Sequence, residues 1–132
     1  MSVLVLVVDD EPDMAALFRQ QFRRDVRAGR FDLAFAANGA EALGEIGAAR
    51  GRDIILLLSD INMPGMTGLE LLRRARALRP DLPVIMVTAY GDDATRREAL
   101  AGGAAGFLAK PIDFAALRAE IDTRLAAWRP RP

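Results

Sequence analysis

Three unbroken apolar runs, at residues 3–8, 54–58 and 84–87, each stop at a polar group, and helix-period segments separate them. Runs of this length are too short for buried helices. Rich in Val, Ile and Leu, they have the composition of strands covered on both faces of a parallel sheet. After the first run, Pro12 suits the first turn of a helix, and Met14, Leu17, Phe18, Phe22 and Val26 follow at helical spacing. One helix is predicted there, ended by Gly29. Phe31, Leu33 and Phe35 alternate with Asp32 and Ala34, the period of a strand with one face less buried, at a sheet edge. Asn38 and Glu41 begin a second helix in capping-box fashion, which Gly44 and Gly47 weaken.

The second half repeats the pattern. A Pro/Gly-rich loop at residues 62–68 leads to a third helix, with Thr67 and Glu70 as its capping box and Leu71, Leu72, Ala75 and Leu78 on one face. Pro80 and Pro83 bracket a turn before the fourth strand, which ends at Thr88. A short polar fourth helix opens at residues 91–93 and stops at Gly102 and Gly103. Residues 106–109 form a fifth strand, ended by Lys110 and Pro111. Asp113 caps a last helix carrying Phe114, Leu117, Ile121 and Leu125 on its face. Five strand-then-helix repeats predict an α/β fold, a doubly wound five-stranded parallel sheet with helices on both sides. Residues 1–128 read as one domain and 129–132 as a tail or the start of a linker.

Composition narrows the chemistry. There is no His and no Cys among the 132 residues. Disulfides, thiol nucleophiles, His-dependent triads and His or Cys zinc sites are therefore excluded, and the chain cannot carry a phosphohistidine. The 18 basic residues balance 18 acidic ones, so no basic excess favours direct nucleic-acid binding. No apolar run approaches the roughly 20 residues that span a bilayer, and the first run is too short for a signal-peptide core. A cytoplasmic protein with no membrane partner is expected. Seventeen of the 18 basic residues are Arg, and the single Lys is Lys110.

Open parallel sheets bind ligands at the carboxyl ends of their strands. Those ends carry Asp9 and Asp10 from the first strand, Asp60 from the third, Thr88 from the fourth and Lys110 from the fifth. Crowded carboxylates repel one another unless a cation neutralises them. With oxygen ligands alone, the hard cation that fits is Mg²⁺. Phosphate cradles of the flavin and dinucleotide type need a Gly- or Ser/Thr-rich turn after the first strand, whereas this chain has Asp9-Asp10-Glu11-Pro12 there.

In this order and at these strand ends, Asp9-Asp10-Glu11-Pro12, the segment from Asp60 through Asn62, Pro64, Gly65 and Thr67 to Gly68, Thr88-Ala89-Tyr90, and Lys110-Pro111-Ile112-Asp113 resemble the motifs of response-regulator receiver domains of two-component signalling. The resemblance covers residue 3 to about residue 127, with no departure at the motif positions. It implies a flavodoxin-like fold with strand order 2-1-3-4-5, and a phospho-accepting switch that is not an enzyme beyond its own phosphotransfer and dephosphorylation. The resemblance implies Asp60 as phosphoacceptor. Asp10 and Asp60 would hold Mg²⁺ (or Mn²⁺) directly, Asp9 through water, and Asn62 would add its backbone carbonyl. Thr88, Ala89 and Lys110 would contact the phosphoryl group, and the Lys110–Pro111 peptide would be cis. Thr88 and Tyr90 would transmit the change to the face made by the fourth predicted helix, the fifth strand and the fifth predicted helix.

The implied partner is a sensor histidine kinase or histidine phosphotransfer protein, and the resemblance leaves open a homodimer through that face. A rival reading is an Asp-nucleophile phosphohydrolase of the haloacid-dehalogenase type. It needs an acid/base Asp two residues after the nucleophile, where this chain has Asn62, and no cap domain is present. A receiver that only binds partners is the third reading; the complete set of Asp9, Asp10, Asp60, Thr88 and Lys110 stands against it. Arg19, Arg23, Arg24 and Arg27 read as a solvated helix face, with kinase docking as the minority view, and Trp128 as packing for the last helix.

Overall fold

The computed structural model describes residues 3–48, 51, 53–89 and 93–128. Its elements run β1 (Leu4–Val8), α1 (Pro12–Gln21), α2 (Arg23–Arg27), β2 (Asp32–Ala36), α3 (Gly39–Gly47), β3 (Ile54–Asp60), α4 (Gly68–Leu78), β4 (Val84–Thr88), α5 (Asp93–Ala101), β5 (Gly106–Ala109) and α6 (Phe114–Ala127). The strands form one sheet in the order β2-β1-β3-β4-β5, and every pairing is parallel. β1, β3 and β4 are buried along their whole lengths, as their unbroken apolar runs require, while β2 lies at an edge and is mostly half-buried.

Because alternate residues of a strand point to opposite faces, the sheet supports two cores. One face packs Leu4, Leu6, Leu57 and Met86 with Leu71, Leu72 and Ala75 of α4 and Ile46 of α3. The other packs Val5, Val7, Leu58 and Val87 with Phe18, Phe22, Leu117 and Ile121. Leu125 and Trp128 pack against this second core at the end of α6. Among the described residues, no helix is long and apolar enough to cross a membrane.

The caps follow the expected chemistry. Asn38 Oδ1 accepts from the Glu41 N–H at 2.9 Å, Thr67 Oγ1 from Glu70 at 3.2 Å, and Asp113 Oδ1 from Ala115 and Ala116 at 3.0 and 3.2 Å. Each pairs backbone donors at a helix start that would otherwise lack partners.

Two expectations are corrected. The single helix predicted after β1 is two, broken at Phe22, whose φ of −111° and ψ of 18° leave the helical range. At that bend the Phe22 ring is fully buried, with edge contacts to Phe31 and Phe114 at centroid distances of 5.7 and 5.9 Å. Helical spacing alone does not register this aromatic cluster. Leu78, expected on the packed face of α4, is 54% exposed; it is the last residue of the helix, and Leu82 fills the core beyond the turn. As expected, Asp60 ends the third strand, where the ladder continues to an Ile61 N–H to Val87 carbonyl bond of 3.0 Å.

Candidate functional site

β1 lies between β2 and β3, so the chain leaves β1 and β3 towards opposite sides of the sheet and opens a crevice at their carboxyl ends. Asp60 is the last residue of β3 and only 6% exposed. Asp9 and Asp10 follow β1 directly. One carboxylate oxygen from each of Asp9, Asp10 and Asp60 lies within 4.8 Å of the others. Lys110, just past β5, reaches back so that Nζ stands 3.2 Å from Asp9 Oδ2 and 3.2 Å from Asp60 Oδ2. The other oxygen of Asp60 accepts the Asn62 N–H at 3.2 Å. Asp9 Oδ1 accepts the Glu11 N–H at 2.9 Å, which orients that carboxylate at the head of α1.

Glycine makes the Asp60 end of the site possible. A Cβ on Gly68 would lie 2.4 Å from the Asp60 carbonyl oxygen and 2.7 Å from the Ile61 Cα. The start of α4 is thus pressed against the backbone of the buried aspartate, and its N–H donates to the Ile61 carbonyl at 2.8 Å.

The electrostatics follow from burial. Desolvation pushes the Asp60 carboxyl above its ordinary range, and the charge of Asp9 adds to this; Lys110 and the Asn62 N–H pull the other way without cancelling it. For Lys110, burial disfavours the ammonium, but its pairs with Asp60 and Asp9 outweigh that and raise its pKa. Lys110 therefore stays charged. Three carboxylates against one ammonium leave an excess of negative charge, and the all-oxygen donor set fits a hard divalent cation such as Mg²⁺.

The residues singled out from sequence meet here. Asp9, Asp10, Asp60 and Lys110 form the cluster, and Thr88 ends β4 beside them, 1% exposed. Ala89 follows, exposed. The Lys110–Pro111 peptide bond is cis. Tyr90, the opening of the fourth predicted helix at 91–92 and the tail at 129–132 lie outside the described residues. The sequence reading missed that the Asn62 side-chain amide donates to Thr88 Oγ1 at 3.3 Å, linking the loop after β3 to the end of β4. It also missed an open cavity of about 270 Å³ beside the cluster, lined by Val7, Asp10, Pro12, Met14, Phe35 and Glu41 among others. Neither has a local signal, since each joins residues far apart in the chain.

This chain is similar to known proteins over most of its length. The family model for the response regulator receiver domain matches residues 5–122. The C4-dicarboxylate transport transcriptional regulatory protein DctD of Rhizobium meliloti is 37% identical over 127 residues, which cover 96% of this chain and 26% of that protein. The transcriptional regulatory protein ZraR of Escherichia coli O157:H7 is 35% identical over 125 residues, covering 95% of this chain and 27% of that protein. The chain thus spans about a quarter of the length of these curated relatives. Among solved structures, a CheY-like receiver domain protein from Methanospirillum hungatei JF-1 superposes with a TM-score of 0.83 at 29% identity, covering 96% of each chain. The chemotaxis protein CheY4 of Vibrio cholerae superposes with a TM-score of 0.78 at 30% identity, covering 93% of this chain and 98% of that one. Sheet order, carboxylate cluster and sequence match converge, and the chain belongs to the response regulator receiver domain family.

Proposed function

We propose that this receiver domain accepts a phosphoryl group on Asp60 from the phosphohistidine of a sensor histidine kinase or histidine phosphotransfer protein, and switches state as a result. The observation that carries the reading is the placement of Lys110. The ammonium of the sequence's single Lys stands 3.2 Å from the buried Asp60 carboxylate, beside two further carboxylates. A carboxylate oxygen of Asp60 forms the new P–O bond. The donor's P–N bond breaks, and its electron pair returns to the departing imidazole. With no His among these 132 residues, the donor imidazole would belong to another chain or another domain.

Asp9, Asp10 and Asp60, with the Asn62 carbonyl, are the groups that would hold Mg²⁺ or Mn²⁺. A metal there supplies charge neutralisation for the phosphoryl oxygens. Lys110 holds one phosphoryl oxygen through a compact ammonium. Thr88 turns its hydroxyl from the Asn62 amide to a second oxygen, and Ala89 leaves the approach clear because it is small. Tyr90 follows Thr88 and carries the change to the face of α5, β5 and α6. A two-state element biased by one covalent charge is the general form of such switches.

Intact-mass analysis after incubation with Mg²⁺ and acetyl phosphate tests this. One phosphoryl adduct is expected, absent in Asp60→Asn. No adduct at saturation removes the switch in favour of a module that only binds. Rapid multiple turnover of unrelated phosphate esters replaces it with a hydrolase.

A further inference from the structure

A second polar site lies where α1 gives way to α2. Beside it lies an open cavity of about 770 Å³, lined by Gln20, Gln21, Arg23, Arg24, Asp25, Ala28, Arg30 and Arg118. α1 runs from the carboxyl edge of the sheet back towards the opposite edge, where β2 begins, so this cavity is remote from Asp60.

Its lining holds four guanidiniums against one carboxylate, in a chain whose total charge is zero. That carboxylate, Asp25, is 5% exposed and already paired through both oxygens, one to Arg30 and one to Arg118. It acts as a buried tether and does not oppose an incoming anion from the surface. Arg118 is fixed three ways: by Asp25, by donation to the Gln21 carbonyl at 3.1 Å, and by stacking over the Phe22 ring at 5.0 Å. Arg30 is held between Asp25 and Asp122. Even with Asp122 included, the cavity keeps two positive charges in excess. The side chains of Arg30 and Arg118 both remain 40% exposed, and exposed Arg23 and Arg24 complete the rim.

We propose that this cavity binds a small polyanion with adjacent phosphate groups, of the size of a di- or triphosphate. Planar guanidinium forks match phosphate oxygens two at a time, and Arg23 and Arg24 present theirs on the exposed rim; Arg30 and Arg118, whose terminal nitrogens each already donate once, add fixed charge and their remaining N–H groups at little loss of freedom. The volume falls in the range of small-molecule sites. An excess of two positive charges at one cavity suits a compact anion. Bound there, the ligand joins α2 to α6.

Calorimetric titration with inorganic tripolyphosphate in metal-free buffer tests the proposal, because without metal the carboxylate cluster repels the same anion. Saturable binding of one equivalent is expected, with Kd below about 1 mM. Arg23→Ala combined with Arg24→Ala should weaken it at least tenfold, Arg23→Lys with Arg24→Lys less so, and Asp60→Asn should leave it unchanged. The alanine pair lies on an exposed helix face, and circular dichroism checks its fold. No saturation by about 10 mM, a Kd unmoved by the alanine pair, or loss of binding in Asp60→Asn overturns the proposal. Tighter binding of a Glu-rich peptide than of tripolyphosphate also overturns it and assigns the surface to an acidic protein segment.

Discussion

A carboxylate as buried as Asp60 is charged only at a cost to the fold. Its folded pKa lies above its unfolded one, so the penalty is absent below the ordinary carboxylate range and full once pH has risen through the folded value. Asp60→Asn is therefore expected to raise the melting temperature at pH 7, with the gain shrinking as pH falls through the raised folded value and gone below the ordinary carboxylate range, as followed by calorimetry across pH. Mg²⁺ should raise the melting temperature of the native protein and have a smaller effect on this variant, because a ligand stabilises only the state that binds it. Lys110→Arg keeps the charge but replaces a point ammonium by a wide fork. It should still permit an adduct on Asp60 while weakening the phosphorylation-dependent change by about 1.5–3 kcal/mol, roughly tenfold or more in the switched population. Amide NMR of the phosphorylated protein reads that population. These residues were legible in the sequence because each ends an apolar run, and a doubly wound sheet brings such ends together. The Asn62–Thr88 bond was not, since the two lie 26 positions apart and nothing local fixes the amide's direction.

At the scale of elements, the joint between α2 and α6 is electrostatic where most of the helix packing is apolar. Burial raises the pKa of the Asp25 carboxyl, but the Arg118 and Arg30 guanidiniums together outweigh it and hold the pKa below its ordinary value. The stabilisation is present above the unfolded carboxylate pKa and is lost as pH falls through the folded one. Asp25→Asn should cost about 1–3 kcal/mol at pH 7 and flatten the acid limb of the stability curve below about pH 4. Urea unfolding at several pH values measures both. The sequence hid this joint for a physical reason. Asp25 and Arg118 stand 93 residues apart, and although helical spacing puts the acid on the face of Phe18 and Phe22, nothing local supplies the cation it meets there. Likewise, the arginines read as a solvated face are not uniform, for Arg19 stacks over the Phe35 ring at 4.6 Å. The junction of α4 with β3 is tighter still. Gly68→Ala pushes a methyl into backbone that no side-chain rotation can relieve, so a loss of about 1–3 kcal/mol is expected in the same unfolding experiment.

For the molecule as a whole, the strand–helix alternation sufficed to predict the class, and the parallel order β2-β1-β3-β4-β5 is what the family resemblance implied. That order also bears on how the chain is made. Once β1 and β2 are paired, β3 joins the free side of β1, β4 the free side of β3, and β5 the free side of β4. No strand has to wedge itself between two that are already paired. Synthesis from the amino end can therefore build the sheet outwards in the order in which residues leave the ribosome. One consequence falls on the site itself. Asp9, Asp10 and Asp60 emerge well before Lys110, so a chain built in that order would gather its three acids with no lysine among them until the final strand arrived.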